Sequence, residues 1–239
     1  MSATVIIPTT GSKDLKMAIE SVLNQTHKTK IYLVVDGKEY VDKVEGILST
    51  IKNINNDSLH VCYLPINVGS NGFYGHRIYA SFTHLVNTEY VLYLDQDCWF
   101  DTNHVETLIN RIVFDDLDWS YSLRNICDTE GNFICRDNCE SLGPSWPISG
   151  YPHVDTNCYC IKTSVASKIC QIWHGGWGQD RAFLNVLHNN FKKFDNTGHY
   201  TVNYRLGGNE GSVSAEFFLT NNKQVDKFYN GVFPWQRTQ

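Results

Sequence analysis

Residues 90–97 read YVLYLDQD: an unbroken apolar run, Tyr90 to Leu94, that stops on Asp95-Gln96-Asp97. A short continuous apolar run suits a strand buried on both faces. In an extended segment residues i and i+2 project to the same side, so Asp95 and Asp97 would face one way and repel each other. Such a pair is costly unless a cation or polar ligand sits beside it. Hard divalent cations such as Mg²⁺ or Mn²⁺ take oxygen ligands and often complete their shell with a substrate's phosphates. Asp also favours solvated turns, and the pair alone leaves that alternative open. Its place after an apolar strand that closes an alternating α/β half favours a site.

Working outward, that alternation is regular. Strands are expected at Val5–Pro8, Ile31–Val35 and Val61–Leu64, and helices at Asp14–Leu23, Val41–Ile51 and Phe73–Leu85. The helical stripes are Leu15, Ala18, Ile19, Val22 and Leu23 in the first, and Val44, Ile47, Leu48 and Ile51 in the second. Apolar strands separated by helices imply a mostly parallel sheet flanked by helices on both faces. Ligands of such sheets bind beyond the carboxyl ends of the strands, where Asp36, Asn67 and Asp95 to Asp97 fall. The second half is less regular. Helices are expected at Val105–Val113, Gln179–His188 and Val213–Tyr229, strands at Trp119–Ile126 and Cys158–Ile161, and a hairpin around Gly131. A Gly/Pro/aromatic loop covers Ser141–His153. The expectation is one domain over 1–239, with a nucleotide-type half (1–100) and a more irregular, variable half (101–239).

Composition narrows the function. Twenty basic against twenty-five acidic residues leave a net charge of −5, without the basic excess of a nucleic-acid-binding protein. No apolar run approaches the ~18–20 residues that span a bilayer, and MSATVIIPTT is not built like a secretory signal. A soluble cytoplasmic protein, or one attached peripherally to a larger structure, is the expectation. The eight cysteines form no CxxC pair, so reduced, buried thiols are expected rather than a zinc site.

Three stretches together carry a family resemblance: VIIPTTGSKDLKMAIESVLNQT (5–26), IYLVVDG (31–37) and YVLYLDQD. In this order they resemble the GT-A glycosyltransferases, family 2 in particular, over roughly residues 4 to 100. The likeness resumes at GGWGQD (175–180). Two departures stand out: Val35-Asp36-Gly37 has one acidic residue where the family commonly has two, and Gln179 replaces the usual acidic residue before Asp180. The resemblance implies a GT-A fold and a metal-dependent, inverting transfer of a sugar from a nucleoside diphosphate donor, UDP-sugar favoured, to an acceptor hydroxyl. It implies that Asp36 meets the nucleobase with Pro8 and Thr9 lining its pocket. Asn67, Gly69 and Arg77 would lie beneath the donor. Asp95, with Gln96 beside it, would contact ribose or sugar hydroxyls, and Asp97, with Asp95, would hold Mn²⁺ or Mg²⁺. Asp180 would be the base. A late histidine supplies a further metal ligand in some GT-A enzymes, and His199 occupies that place here.

Each role has a structural alternative. Asp180 opens a helix, where a carboxylate stabilises by roughly 0.3–1 kcal/mol through the helix field alone; that same field keeps a base ionised. Arg77 suits a solvated helix face as well as a phosphate, His76 beside it reads as structural, and Trp177 suits either core or the apolar face of an acceptor sugar. Asp155 would orient the acceptor or tie down the preceding loop, whose Trp146 and Tyr151 suit a carbohydrate. Two other functions were weighed. A nucleotidyltransferase needs a Gly-rich, Arg-bearing loop after the first strand, where this chain has Thr9-Thr10-Gly11-Ser12-Lys13. A non-catalytic sugar-nucleotide-binding module has no need of both the DxD and Asp180.

Overall fold

The computed structural model describes residues 1–52, 54, 57–144, 152–208 and 213–236. The expected alternation is present: β1 (Ala3–Thr9), α1 (Leu15–Leu23), β2 (Thr29–Val35), α2 (Val41–Leu48), β3 (Leu59–Tyr63), α3 (His76–Phe82) and β4 (Tyr90–Tyr93). These four strands are parallel in the order β3-β2-β1-β4. Every residue of β1 is buried, and Leu15, Ala18, Ile19 and Val22 of α1 pack into the same core. Burying each such aliphatic side chain contributes about 1.5–3 kcal/mol.

The sheet then changes sense. It continues through β5 (Trp99–Phe100), β6 (Trp119–Cys127), β7 (Phe133–Arg136), β8 (Tyr159–Lys162) and β9 (Phe194–Arg205). β8 pairs antiparallel with β4, β6 antiparallel with β8, β9 parallel with β6, and β5 antiparallel with β9; β7 forms the expected hairpin with β6. Helices α4 (His104–Phe114), α5 (Thr163–Ile169), α6 (Gln179–Asn190) and α7 (Ala215–Tyr229) cover this part. An aromatic cluster joins the halves: Trp173 stacks on Phe183 at 4.2 Å between ring centres, and both meet Tyr93 of β4.

Several boundaries differ from the expectation for physical reasons. α3 begins at His76 rather than Phe73 because Asn71, Gly72 and Tyr74 all adopt positive φ, which a right-handed helix excludes. β9 has no counterpart among the expected strands, and its Asp195, Asn196, Thr197 and Gly198 are turn formers. It is held instead by parallel pairing with β6, with register shifts between Tyr121 and Arg124. All eight cysteines are free thiols. None of the helices among the described residues is long and apolar enough to cross a membrane. Of the loop expected at 141–153, Trp146 and Tyr151 lie outside the described residues.

Candidate active site

A cavity of about 660 Å³ opens at the carboxyl ends of β1, β2 and β4. It is lined by Pro8, Thr9, Asp36, Asn67, Gly69, Asp95, Gln96, Asp97, Asp155, Trp177 and Asp180, all singled out from the sequence. Arg77 and His199 are not among its walls. Arg77 stacks on Phe73, 3.3 Å from the ring centre, and donates to the Val68 carbonyl at 3.2 Å. It props the Asn67–Gly75 loop from behind. His199 is exposed on β9, away from Asp95 and Asp97, so the structure does not bring it to the carboxylate pair.

Asp36, at the end of β2, is buried and binds two loop amides: Oδ1 accepts from Val68 N at 2.7 Å and Oδ2 from Gly69 N at 2.8 Å. Burial raises its pKa and the two amides oppose that rise. Position 69 must be glycine, because a Cβ there would stand 2.7 Å from Asp36 Oδ2. Asn67 keeps a buried Oδ1 without a partner among the described residues. Pro8 packs against Gly75, leaving no room for a side chain there.

Asp95 to Asp97 occupy a tight turn between β4 and β5, closed by Cys98 N to Asp95 O at 3.2 Å, rather than an extended segment. The turn separates their tasks. Asp95 points inward: Tyr79 Oη donates to its Oδ1 at 2.9 Å and Asn157 Nδ2 to its Oδ2 at 3.0 Å. Gln96 turns aside and organises the loop after β1, where its Oε1 accepts from Thr9 Oγ1, Thr10 N and Ser12 N at 2.7–3.0 Å. Among the described residues the one side chain that donates to the Asp97 carboxylate is the weak thiol of Cys98, at 3.7 Å. Burial, then the charge of Asp95, push its pKa up to about 6. Among the described residues no three His, Cys, Asp or Glu side chains are grouped so that they alone could hold a metal ion. A buried carboxylate with few hydrogen-bond donors, beside a second carboxylate that raises its pKa, fits a hard divalent cation that shares the substrate's oxygens, and Asp97 is the residue that would hold it. Arg205, at the end of β9, lies beside this point; its Nε donates to the Asp97 carbonyl at 3.1 Å.

The opposite wall is built on Asp180 in the first turn of α6. Gly176 and Gly178 precede it with φ of 88° and 78°, backbone that favours glycine. A Cβ on Gly176 would stand 2.7 Å from the Gly72 carbonyl oxygen, and His76 Nδ1 donates to the Gly176 carbonyl at 2.5 Å. His76 therefore ties the loop before α6 to α3. Trp177, 78% exposed, stands at the rim. The Asp180 carboxylate is held twice: Oδ1 accepts from Arg181 N at 2.7 Å, and Oδ2 lies 2.8 Å from His153 Nε2. Burial would raise its pKa, but the His153 bond and charge outweigh that and hold it at about 2.

Sequence reading missed the charged network behind this wall. Arg124, fully buried in β6, is paired with Asp137 at 2.8 Å and with Glu140 and Asp155. Asp137 also accepts from the amides of Cys139, Glu140 and Ser141. Asp155 caps the turn carrying Asn157, and Asn157 reaches Asp95. An unbroken chain of contacts thus runs from Asp180 through His153, Glu140, Arg124, Asp155 and Asn157 to Asp95. One sequence signal could have revealed it: an arginine inside the otherwise buried strand WSYSLRNIC needs acidic partners.

A parallel α/β half whose strands end at a carboxylate-lined cavity, completed by a mixed-sheet half, is the architecture of the GT-A glycosyltransferases. Residues 4–165 match Glycosyl transferase family 2; the chain belongs to this family and is a glycosyltransferase. It is similar to an uncharacterized protein of Haemophilus influenzae, 28% identical over 103 residues that cover 36% of this chain and 69% of that one. Among solved structures it resembles S. aureus TarS 1–349, with a TM-score of 0.62 and 15% identity over 99% of this chain and 68% of that one. The same TarS fragment in complex with UDP (TM-score 0.60, 16% identity, 99% and 68% covered) and with UDP-GlcNAc (0.61, 15%, 99% and 69%) is similar in the same way.

Proposed function

We propose that this enzyme moves a sugar from a nucleoside diphosphate donor, a UDP-sugar, to a hydroxyl of a carbohydrate acceptor, with inversion at the anomeric carbon. The observation that carries this reading is the placement of Asp97 and Asp180 on the walls of one cavity, the first short of hydrogen-bond donors and the second held ionised. The TarS complexes with UDP and UDP-GlcNAc support the choice of uridine donor.

The donor's base lies among Pro8, Thr9, Asp36 and Asn67. Each Asp36 oxygen has a second lone pair to offer beyond its bond to the loop, which suits an imide N–H, and the free Oδ1 of Asn67 takes a ligand donor. Gly69 lets the loop backbone approach closely. Asp97, with Asp95, would hold Mn²⁺ or Mg²⁺, while Asp95, anchored by Tyr79 and Asn157, contacts the sugar or ribose side. The chemistry such a cation would supply is positive charge for the leaving diphosphate. Asp180 removes the acceptor's hydroxyl proton as its oxygen bonds to the anomeric carbon. The bond from that carbon to the diphosphate breaks, and the electron pair leaves with the nucleotide. Trp177 offers the acceptor an aromatic platform at the rim.

The test is a donor screen with Mn²⁺ that scores nucleotide release from UDP-, GDP- and dTDP-sugars, with and without glycan acceptors. Release from a UDP-sugar that an acceptor accelerates is the expected result. Release from GDP- or dTDP-sugars alone would overturn the uridine reading.

A further inference from the structure

Resting on Asp180 as the base, we propose that His153 is a positioning residue for the transfer step. Its imidazole, lodged between Glu140 and Asp180, fixes the Asp180 carboxylate and sets its basicity by gaining or losing a proton. The ring is buried, with Nε2 2.8 Å from Asp180 Oδ2 and Nδ1 3.4 Å from Glu140 Oε1. Among the described residues Nδ1 makes no hydrogen bond of its own. The loop does not need this side chain for its local tie, since the His153 carbonyl accepts from Gly143 N at 2.8 Å.

The charged groups around the ring come from four segments. Arg124 of β6 holds Glu140 through its other oxygen, Glu140 follows β7, Asp155 follows His153, and α6 supplies Asp180 with Arg181, whose Nη2 is 3.5 Å from Glu140 Oε1. Tyr159 of β8 adds a buried phenol that feels the Asp180 charge. Two carboxylates flank the imidazole directly, and both favour its protonated form. Burial opposes that form, but the Asp180 bond and the Glu140 charge prevail and raise the His153 pKa.

The sign of the effect follows. With His153 protonated, a full positive charge sits beside the base and weakens it as a proton acceptor. When His153 loses its proton, a neutral N–H can still orient the carboxylate while the field that suppressed its basicity is gone. Transfer therefore rises with pH through the His153 titration, above the usual histidine value of ~6.5.

The experiment measures transfer against pH with saturating donor and Mn²⁺ for the native enzyme, His153→Gln, His153→Ala and Asp180→Asn. Glutamine keeps an N–H donor but carries no titrating charge. One pH unit below its midpoint the native rate is expected about tenfold under its plateau, as for one proton, while His153→Gln stays within twofold of its own plateau. His153→Ala is expected to lose kcat more than His153→Gln, with donor KM unchanged in both. In parallel, the His153 ring is followed by NMR, its signal identified by its loss in His153→Gln. Its midpoint is expected to fall by at least one pH unit in Asp180→Asn and to fall in Glu140→Gln. A His153→Gln profile with the native acid limb, or an unshifted NMR midpoint in Asp180→Asn, overturns the proposal even if the glutamine variant folds poorly. Full turnover by Asp180→Asn overturns this proposal and the base reading together. Lost turnover there, with an unaltered His153→Gln profile, overturns this one alone.

Discussion

The two walls of the cavity treat their carboxylates in opposite ways. On the donor side Asp36 and Asp95 are bonded to amides, a phenol and a carboxamide, all neutral groups, and Asp97 has almost no partner. On the acceptor side Asp137, Glu140, Asp155 and Asp180 are each tied to Arg124 or His153. The first wall leaves Asp36, Asp95 and Asp97 without an ion pair among the described residues, which suits a place where a cation and a diphosphate must arrive together. The second is compensated in advance, which keeps a base ionised and still in a buried setting. A surplus of charge and a balance of charge are thus found about one cavity, and each matches the step assigned to it.

The contrast breaks most severely if the catalytic carboxylates are exchanged for neutral groups. Asp180→Asn should keep donor binding and lose transfer by about 10²–10⁴-fold, the usual worth of a general base, in a steady-state assay with acceptor. Next in size is the scaffold of the acceptor wall. Arg124→Met leaves three carboxylates facing a buried site without their cation and should cost about 3–5 kcal/mol, read by urea denaturation. A smaller effect sharpens the donor side. Because the folded-state pKa of Asp97 is raised, the metal-free protein binds a proton there more tightly than the unfolded chain does. The Asp97 contribution to stability should therefore grow as pH falls from 7 through about 6. The Tm difference between native protein and Asp97→Asn, measured in EDTA at pH 7 and 5, should move in the native protein's favour at pH 5. Smallest is Trp177→Ala: the side chain is mostly exposed, so folding should hold within about 0.5 kcal/mol, while acceptor KM rises a few-fold.

The donor half was legible because its signals are local. Continuous apolar strands, the α1 stripe and the carboxylates at strand ends each follow from a few adjacent residues, and Pro8, Thr9, Asp36, Asn67, Gly69 and Asp95 to Asp97 converge in the structure. What sequence could not supply there was direction. The turn after β4 sends Asp95 inward and Gln96 aside, and Arg77 turns to Phe73. In the acceptor half the decisive contacts join residues far apart in the chain, such as Arg124 with Asp155 and His153 with Asp180. His153 follows a glycine- and proline-rich run and gives no periodic signal of its own. β9 was hidden because its first residues are turn formers, and its pairing with β6 overrides that local preference. His199 shows the opposite error: a residue type suited to a metal, placed by the strand on the outside.

Calorimetry of UDP binding, with and without Mn²⁺, in the native enzyme, Asp97→Ala and Asp180→Asn tests the division of labour between the walls most directly. The account predicts Mn²⁺-dependent binding in the native enzyme and Asp180→Asn, and its loss in Asp97→Ala. Equal Mn²⁺-dependent binding by Asp97→Ala would contradict it.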